Sequence, residues 1–123
     1  MDLQIRPHTE KEYTEFRAAI NRGFGYHVRP EPEELALLKQ RYEPDRSLAV
    51  FDDGQIVGTT AIFSFEMTVP GGAAMPVAGV TMVTVAATHR RQGILRQIMA
   101  HQLKDIRDRG EPGAILWASE SII

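Results

Sequence analysis

The alternation of apolar and polar positions predicts a short first strand and then two helices. Residues 3–6 alternate before Pro7, and Thr9, Glu10, Lys11 and Glu12 then fit a capping box that opens a helix. Tyr13, Phe16, Ala19 and Ile20 recur at helical spacing to about Asn21, where Gly23 and Gly25 are expected to end the helix in positive-φ conformations. Residues 23–30 read as loop. Pro32 then suits a first helical position, with Glu33 and Glu34 in the first turn and Leu35, Leu38 and Tyr42 along one face of a second helix that stops near Pro44.

The middle of the chain changes to strand patterning. Residues 47–51 and 55–69 are rich in β-branched and aromatic side chains, and Asp53-Gly54 between them is a hairpin signal, so the two form an antiparallel pair. Gly71-Gly72 makes a second turn before residues 77–86, which carry no charge and read as a largely buried strand. From residue 93 to 109, Ile94, Leu95, Ile98, Met99, Leu103 and Ile106 form a helical stripe, closed by Arg107, Arg109 and Gly110. Residues 114–118 are a last strand, parallel to the 77–86 strand because a strand-helix-strand run of this length is a crossover unit. The expected fold is α/β (α+β), a mixed, mainly antiparallel sheet flanked by helices in the order β-α-α-β-β-β-α-β.

Composition narrows the function classes. With 43% hydrophobic and 24% charged residues the 123-residue chain is globular, with room for one domain or part of one. Its 14 Lys and Arg against 16 Asp and Glu give a net charge of −2, which offers nucleic acid or an anionic membrane no long-range attraction. Cysteine is absent, so disulfides, thiolate metal sites and cysteine nucleophiles are excluded. The N-terminus lacks the apolar run of a signal peptide and no apolar run approaches the ~20 residues of a membrane span, so the expected location is cytoplasmic.

Between Glu66 and Asp105 no acidic residue occurs, while His89, Arg90, Arg91, Arg96 and Lys104 all fall inside that window. The basic cluster sits where strand becomes helix, although a helix N-terminus prefers Asp or Glu because its unpaired N–H groups act as about half a positive charge. An external anion accounts for the choice: free N–H groups, Gly93 without a side chain and the arginines converge on one place, at the carboxyl edge of a strand. A solvated basic turn is the alternative.

These residues resemble a known family. The run Val83-Thr84-Val85-Ala86-Ala87-Thr88-His89-Arg90-Arg91-Gln92-Gly93-Ile94-Leu95 is similar to the pyrophosphate motif of the GCN5-related N-acetyltransferases (GNAT), Arg/Gln-x-x-Gly-x-Gly/Ala, with Arg90 and Gly93 matching and Leu95 departing in the last place. That variant, followed by Trp117-Ala118-Ser119-Glu120 at the end of the last strand, resembles the enhanced-intracellular-survival (Eis) group. The resemblance implies a GNAT-like fold and acetyl-CoA as cosubstrate. Backbone groups of Val83, Thr84 and Val85 would pair with the pantetheine as with an added strand, and the N–H groups of Arg91, Gln92, Gly93, Ile94, Leu95 and Arg96 would hold the pyrophosphate. Ser119 and Glu120 match positions beside the thioester.

The implied reaction is direct attack of a primary amine on the thioester in a ternary complex, the acceptor being a small-molecule amine or a lysine side chain. A non-catalytic coenzyme A or anion-binding module is the alternative. The family's general acid, often a tyrosine after the last strand described above, has no counterpart before Ile123. Tyr13, Tyr26 and Tyr42 are expected to be packing or rim residues, and Glu120 either a base through water or a structural carboxylate. The ending Ser121-Ile122-Ile123 is expected to mark residues 1–123 as an incomplete N-acetyltransferase domain, a fragment or a truncation that completes its sheet in a homo-oligomer. The loop Arg22-Gly23-Phe24-Gly25-Tyr26-His27-Val28-Arg29-Pro30, on the acceptor side in that family, holds aromatics and base but no acid, so a densely cationic acceptor such as an aminoglycoside is not expected. His8, His27, His89 and His101 show neither metal-ligand spacing nor an acidic partner pattern, are expected on the surface or in loops, and no metal is expected. Phosphate-loop, dinucleotide and Gly-x-Ser-x-Gly motifs are missing, and Met67, Met75, Met82 and Met99 read as core filler.

Overall fold

Strand β1 (Leu3–Arg6) pairs antiparallel with β2 (Leu48–Asp52), which turns through Asp53 and Gly54 into β3 (Gln55–Thr68). Both turn residues take positive φ, 49° and 78°, the conformation of a tight hairpin. Strand β4 (Ala74–Val85) returns antiparallel to β3, and β5 (Gly113–Leu116) lies parallel to β4. The computed structural model describes residues 2–26 and 31–118. Helices α1 (Tyr13–Gly23), α2 (Pro32–Arg41) and α3 (Ile94–Asp108) complete the order read from the sequence, β-α-α-β-β-β-α-β.

Alternation along the strands separates two packed faces. On β2, Ala49 and Phe51 join Tyr13, Phe16 and Ile20 of α1, whereas Val50 between them joins Ile94 and Ile98 of α3. On β3, Ala61 lies with the α1 cluster, while Ile62 packs on Ile106. Helices α1 and α3 therefore sandwich the sheet. A buried Arg46, in the turn after α2, ties the layers at one end: it donates to Ser64 Oγ (2.9 Å), to Asp105 (3.5 Å) and, in a two-pronged contact, to the carboxylate of Glu111.

Several details depart from the sequence reading. Gly23 does not end α1 in a positive-φ conformation. It is the last helical residue, and its missing side chain lets the helix approach Thr84, since a Cβ there would collide with Thr84 Cβ and come within 2.5 Å of its Cγ2. Gly25, at φ 82°, takes the expected role. On α3 the predicted stripe is too wide. Ile94, Ile98, Gln102 and Ile106 form the buried i, i+4 row, while Leu95 and Leu103, each one position further round, are 44% and 59% exposed. Gln102 occupies an apolar-stripe position because its amide nitrogen lies 2.9 Å from the buried Thr60 Oγ1. Met67 is exposed rather than core filler, because the β3–β4 hairpin extends beyond the helices that cover its base. The last strand is shorter than expected, Gly113–Leu116, and Trp117 is 97% exposed.

Candidate active site

The site is organised by a bulge in β4. Thr59 faces Thr84 and Ala61 faces Thr81, so Met82 and Val83 share one opposing residue, Thr60. Met82 takes φ 55°, a left-handed conformation that a non-glycine residue adopts only under local support. That support is visible: Thr59 Oγ1 donates to the Met82 carbonyl (2.8 Å) and lies 2.6 Å from Thr84 Oγ1. The bulge bends β4. Its pairing with β5 ends at Val80 and Leu116, so from Thr81 to Val85 the edge of β4 on the β5 side has no strand partner among the described residues.

Beyond Val85 the chain makes one 3₁₀ turn (Ala87–His89) and reaches α3. Arg91 (φ 64°) and Gly93 (φ 80°) are both left-handed, and Gly93 caps the helix. Such alternation turns consecutive N–H groups to one side, as in anion-binding nests. The first turn of α3 holds no acidic residue, and Arg90, Arg91 and Arg96 are exposed. Space is open around Gly93, with nothing within 4 Å of where a Cβ would stand. His89 anchors this turn to the β2–β3 hairpin: its Nε2 lies 2.7 Å from Asp52 Oδ2 and its Nδ1 2.8 Å from Thr88 Oγ1.

Of the sequence-predicted residues, 83–85 and 91–96 thus lie along one continuous path. Val83 and Val85 are half-buried, and Thr84 is buried with its side chain turned to Thr59 and Gly23, which leaves its main chain for any ligand. Arg91, Gln92, Gly93, Leu95 and Arg96 are exposed, whereas the Ile94 side chain enters the core and offers only its N–H. Ser119, Glu120 and residues 27–30 lie outside the described residues. A cavity of about 270 Å³ adjoins the path on the α1 face, lined among others by Arg22, Gly23, Thr84 and Thr88.

Sequence reasoning missed several groups here. The Asp52–His89 pair spans 37 positions, which no local spacing reveals, and it supplies the acidic partner that the histidine pattern lacked. His8 is buried rather than superficial, stacked on Tyr42 with its Nε2 against the Tyr42 hydroxyl and its Nδ1 2.7 Å from the Thr9 carbonyl. Burial pushes the Tyr42 phenol well up, and that of Tyr13 up as well, so both stay protonated in the core, as packing residues should. Tyr26 is exposed. Arg17 stands with Phe16 and Ile20 on the buried stripe of α1, where apolar periodicity gives no sign of a cation.

Residues 4–123 match the model of the acetyltransferase (GNAT) domain over nearly the whole chain. The chain belongs to the GNAT acetyltransferase family. It is 46% identical over its full length to an uncharacterized N-acetyltransferase of Streptomyces avermitilis, and 37% identical over 93 residues, 72% of this chain, to N-acetyltransferase Eis of Mycobacterium tuberculosis. Among solved structures, Eis1 from Mycobacterium abscessus superimposes with a TM-score of 0.83 at 33% identity, covering 99% of this chain and 29% of that one. The GNAT chain spans about 30% of the length of the Streptomyces relative and 23% of Eis. The resemblance to the Eis group read from residues 83–95 and 117–120 is borne out by Eis itself, matched over 72% of this chain, and by the Eis1 structure, matched over 99% of it. Among the described residues no helix is long and apolar enough to cross a membrane.

Proposed function

We propose that this GNAT chain is the acetyl-CoA-binding part of an N-acetyltransferase that transfers acetyl to a primary amine by direct attack in a ternary complex. One observation carries the reading: a strand edge, residues 81–85, with no strand partner among the described residues, runs straight into a left-handed, acid-free helix start flanked by arginines. An extended amide-bearing arm suits the edge, and a pyrophosphate suits the turn. Gly93 fits this group, because its positive φ and open surroundings let phosphate oxygens approach main-chain N–H groups that no side chain covers. Val83, Thr84 and Val85 would hold the pantetheine through main chain, and residues 91–96 the pyrophosphate, with Arg91 and Arg96 adding charge. Ser119 and Glu120 belong to the same proposal, beside the thioester.

In the transfer, the neutral amine nitrogen attacks the thioester carbonyl carbon, the C–N bond forms as the C–S bond breaks, and the proton lost from the nitrogen balances the one taken up by the departing thiolate. The part played by residues 81–96 is orientation and charge neutralisation. We place the reaction in the cytoplasm, where acyl-CoA thioesters are available. We also propose that copies of the chain associate through the exposed apolar strip of Phe65, Ile115, Leu116 and Trp117, a face of the kind that marks interaction sites.

Calorimetry with coenzyme A, together with thiol release from acetyl-CoA in the presence of amines, tests the reading. Gly93→Val and Arg91→Glu should each weaken coenzyme A binding by about tenfold or more, the worth of one charge-assisted contact. Unchanged affinity in both variants overturns the site. Coenzyme A binding without any acetyl transfer in the longest natural form of the protein overturns the catalytic half. Light scattering that finds only monomers at all concentrations overturns the association.

A further inference from the structure

Arg17 is a cation placed where a core residue belongs. It sits on the inner face of α1 between Tyr13, Phe16 and Ile20, and it retains only 9% of its exposure. Among the described residues its guanidinium finds almost nothing to bind: one Nη donates to the thioether sulfur of Met82 at 3.3 Å, and Nε is buried with no acceptor. Sulfur is a weak acceptor, and no carboxylate among the described residues pairs with Arg17. The nearest acids along the chain face elsewhere, Glu12 just before α1 and the exposed Glu15 within it. Glu12 is held by Arg6 in a two-pronged contact at 2.8 and 2.9 Å, and Glu12 and Glu15 line a different cavity.

Contrast with Arg46 shows what such a residue ordinarily requires. Arg46 is buried still more deeply, and although its Nε also has no acceptor, its two Nη groups meet Glu111, Asp105 and the Ser64 hydroxyl. A guanidinium stays charged at every accessible pH, so taking it out of water without an anion costs several kcal/mol. Arg17 bears that cost beside the bulge residue Met82, immediately before the strand segment assigned above to the pantetheine. Met82 and Thr84 lie on the α1 face of β4, and from the next turns of the same helix Arg22 lines the cavity that Thr84 borders. The pyrophosphate is already provided for at α3, at the far end of that segment. That leaves the other substrate as the source of the anion that Arg17 lacks among the described residues.

We propose that Arg17 is the anion-recognising residue of the acceptor site, so that the acceptor is a primary amine that also carries a carboxylate or phosphate-type group. The inference rests on the acetyltransferase reading given above and narrows its substrate class. A planar guanidinium matches either anion with paired N–H donors, and this would satisfy the orphaned Nε. The same charge disfavours polycationic acceptors.

Calorimetry on the chain saturated with coenzyme A decides it, using three small amines: β-alanine, 2-aminoethylphosphonate and propylamine. One or both of the first two should bind about tenfold or more tightly than propylamine, the difference between them naming the anion. In Arg17→Met that preference should vanish and in Arg17→Lys partly survive, with coenzyme A affinity unchanged in both. Equal binding of all three amines by the unaltered chain overturns the proposal whatever the variants do, as does a preference that persists in a folded Arg17→Met protein. Failure to bind coenzyme A at all strikes instead at the reading on which it rests.

Discussion

Thr59 and Met82 are joined by one hydrogen bond, from the Thr59 hydroxyl to the Met82 carbonyl at 2.8 Å, and it fixes the point at which β4 turns away from β5. Because the Thr59 proton is used there, the neighbouring Thr84 hydroxyl, 2.6 Å away, must donate to Thr59. Thr59→Val keeps the shape of the side chain and removes both contacts, taking a partner from the half-buried Met82 carbonyl and from the buried Thr84 hydroxyl. Denaturant unfolding should show a loss of about 1–3 kcal/mol. Coenzyme A affinity should fall with it, because the left-handed Met82 loses its support; a variant of unchanged stability and affinity would show that the bulge holds itself.

Gly23 makes a prediction with a defined sign. An exposed helical Gly→Ala change is worth about 1 kcal/mol in favour of Ala. Here the new Cβ would meet the Thr84 side chain, whose Cγ2 lies 2.5 Å from it, so Gly23→Ala should instead destabilise by about 1–3 kcal/mol. The midpoint of urea unfolding moves down if helix α1 is pressed on β4 as described, and up if it is not.

Glu12 links stability to acid pH. Arg6, first, and then the Thr9 N–H hold its carboxyl down from 4.5 to about 2. A carboxyl depressed in the folded state contributes stability above its unfolded value, and that contribution is lost as pH falls through the folded one. The melting-temperature gap between the unaltered chain and Glu12→Gln should therefore be full above about pH 4.5 and close as pH falls toward about 2. Both partners are partly exposed, so the gap is small and should shrink further in high salt.

Arg46 is the opposite case, a buried pair. Removing one side of it strands the other charge, so Arg46→Ala should destabilise by about 3–5 kcal/mol. Arg46→Met combined with Glu111→Leu removes both charges and should recover most of the loss. Calorimetric unfolding of the two variants checks this, and a double variant no better than the single one would assign the cost to the Ser64 and Asp105 contacts instead.

The sequence disclosed the features that depend on local order. Period and turn chemistry located the five described strands and the three α-helices, because Asp53-Gly54, Gly110 and the 94–98–106 row act on neighbours in the chain. The phosphate-type turn was legible for the same reason: Arg90, Arg91, Gly93 and Arg96 are contiguous. What stayed hidden joins distant segments. Asp52 meets His89, Thr59 meets Met82 and Gly23 meets Thr84 only after the sheet has formed. Gly23 looked like a helix stop because a glycine near a helix end usually is one, and its packing role depends on a strand about sixty residues away. Leu95 and Leu103 passed for core because hydrophobicity alone does not tell a buried row from the one beside it.

The spatial order of the strands, β1-β2-β3-β4-β5, repeats their order along the chain, and this bears on how the molecule assembles. Among the described strands none has to be threaded between two that are already joined; each can be laid against a neighbour, starting from the long β3–β4 hairpin. The final addition is the costly one, since β5 must close the whole α3 crossover before its four parallel pairings to β4 compensate. Amide protons of Gly113–Leu116 should accordingly exchange with solvent long before those at the centre of β3, as a late-docking and early-leaving margin would.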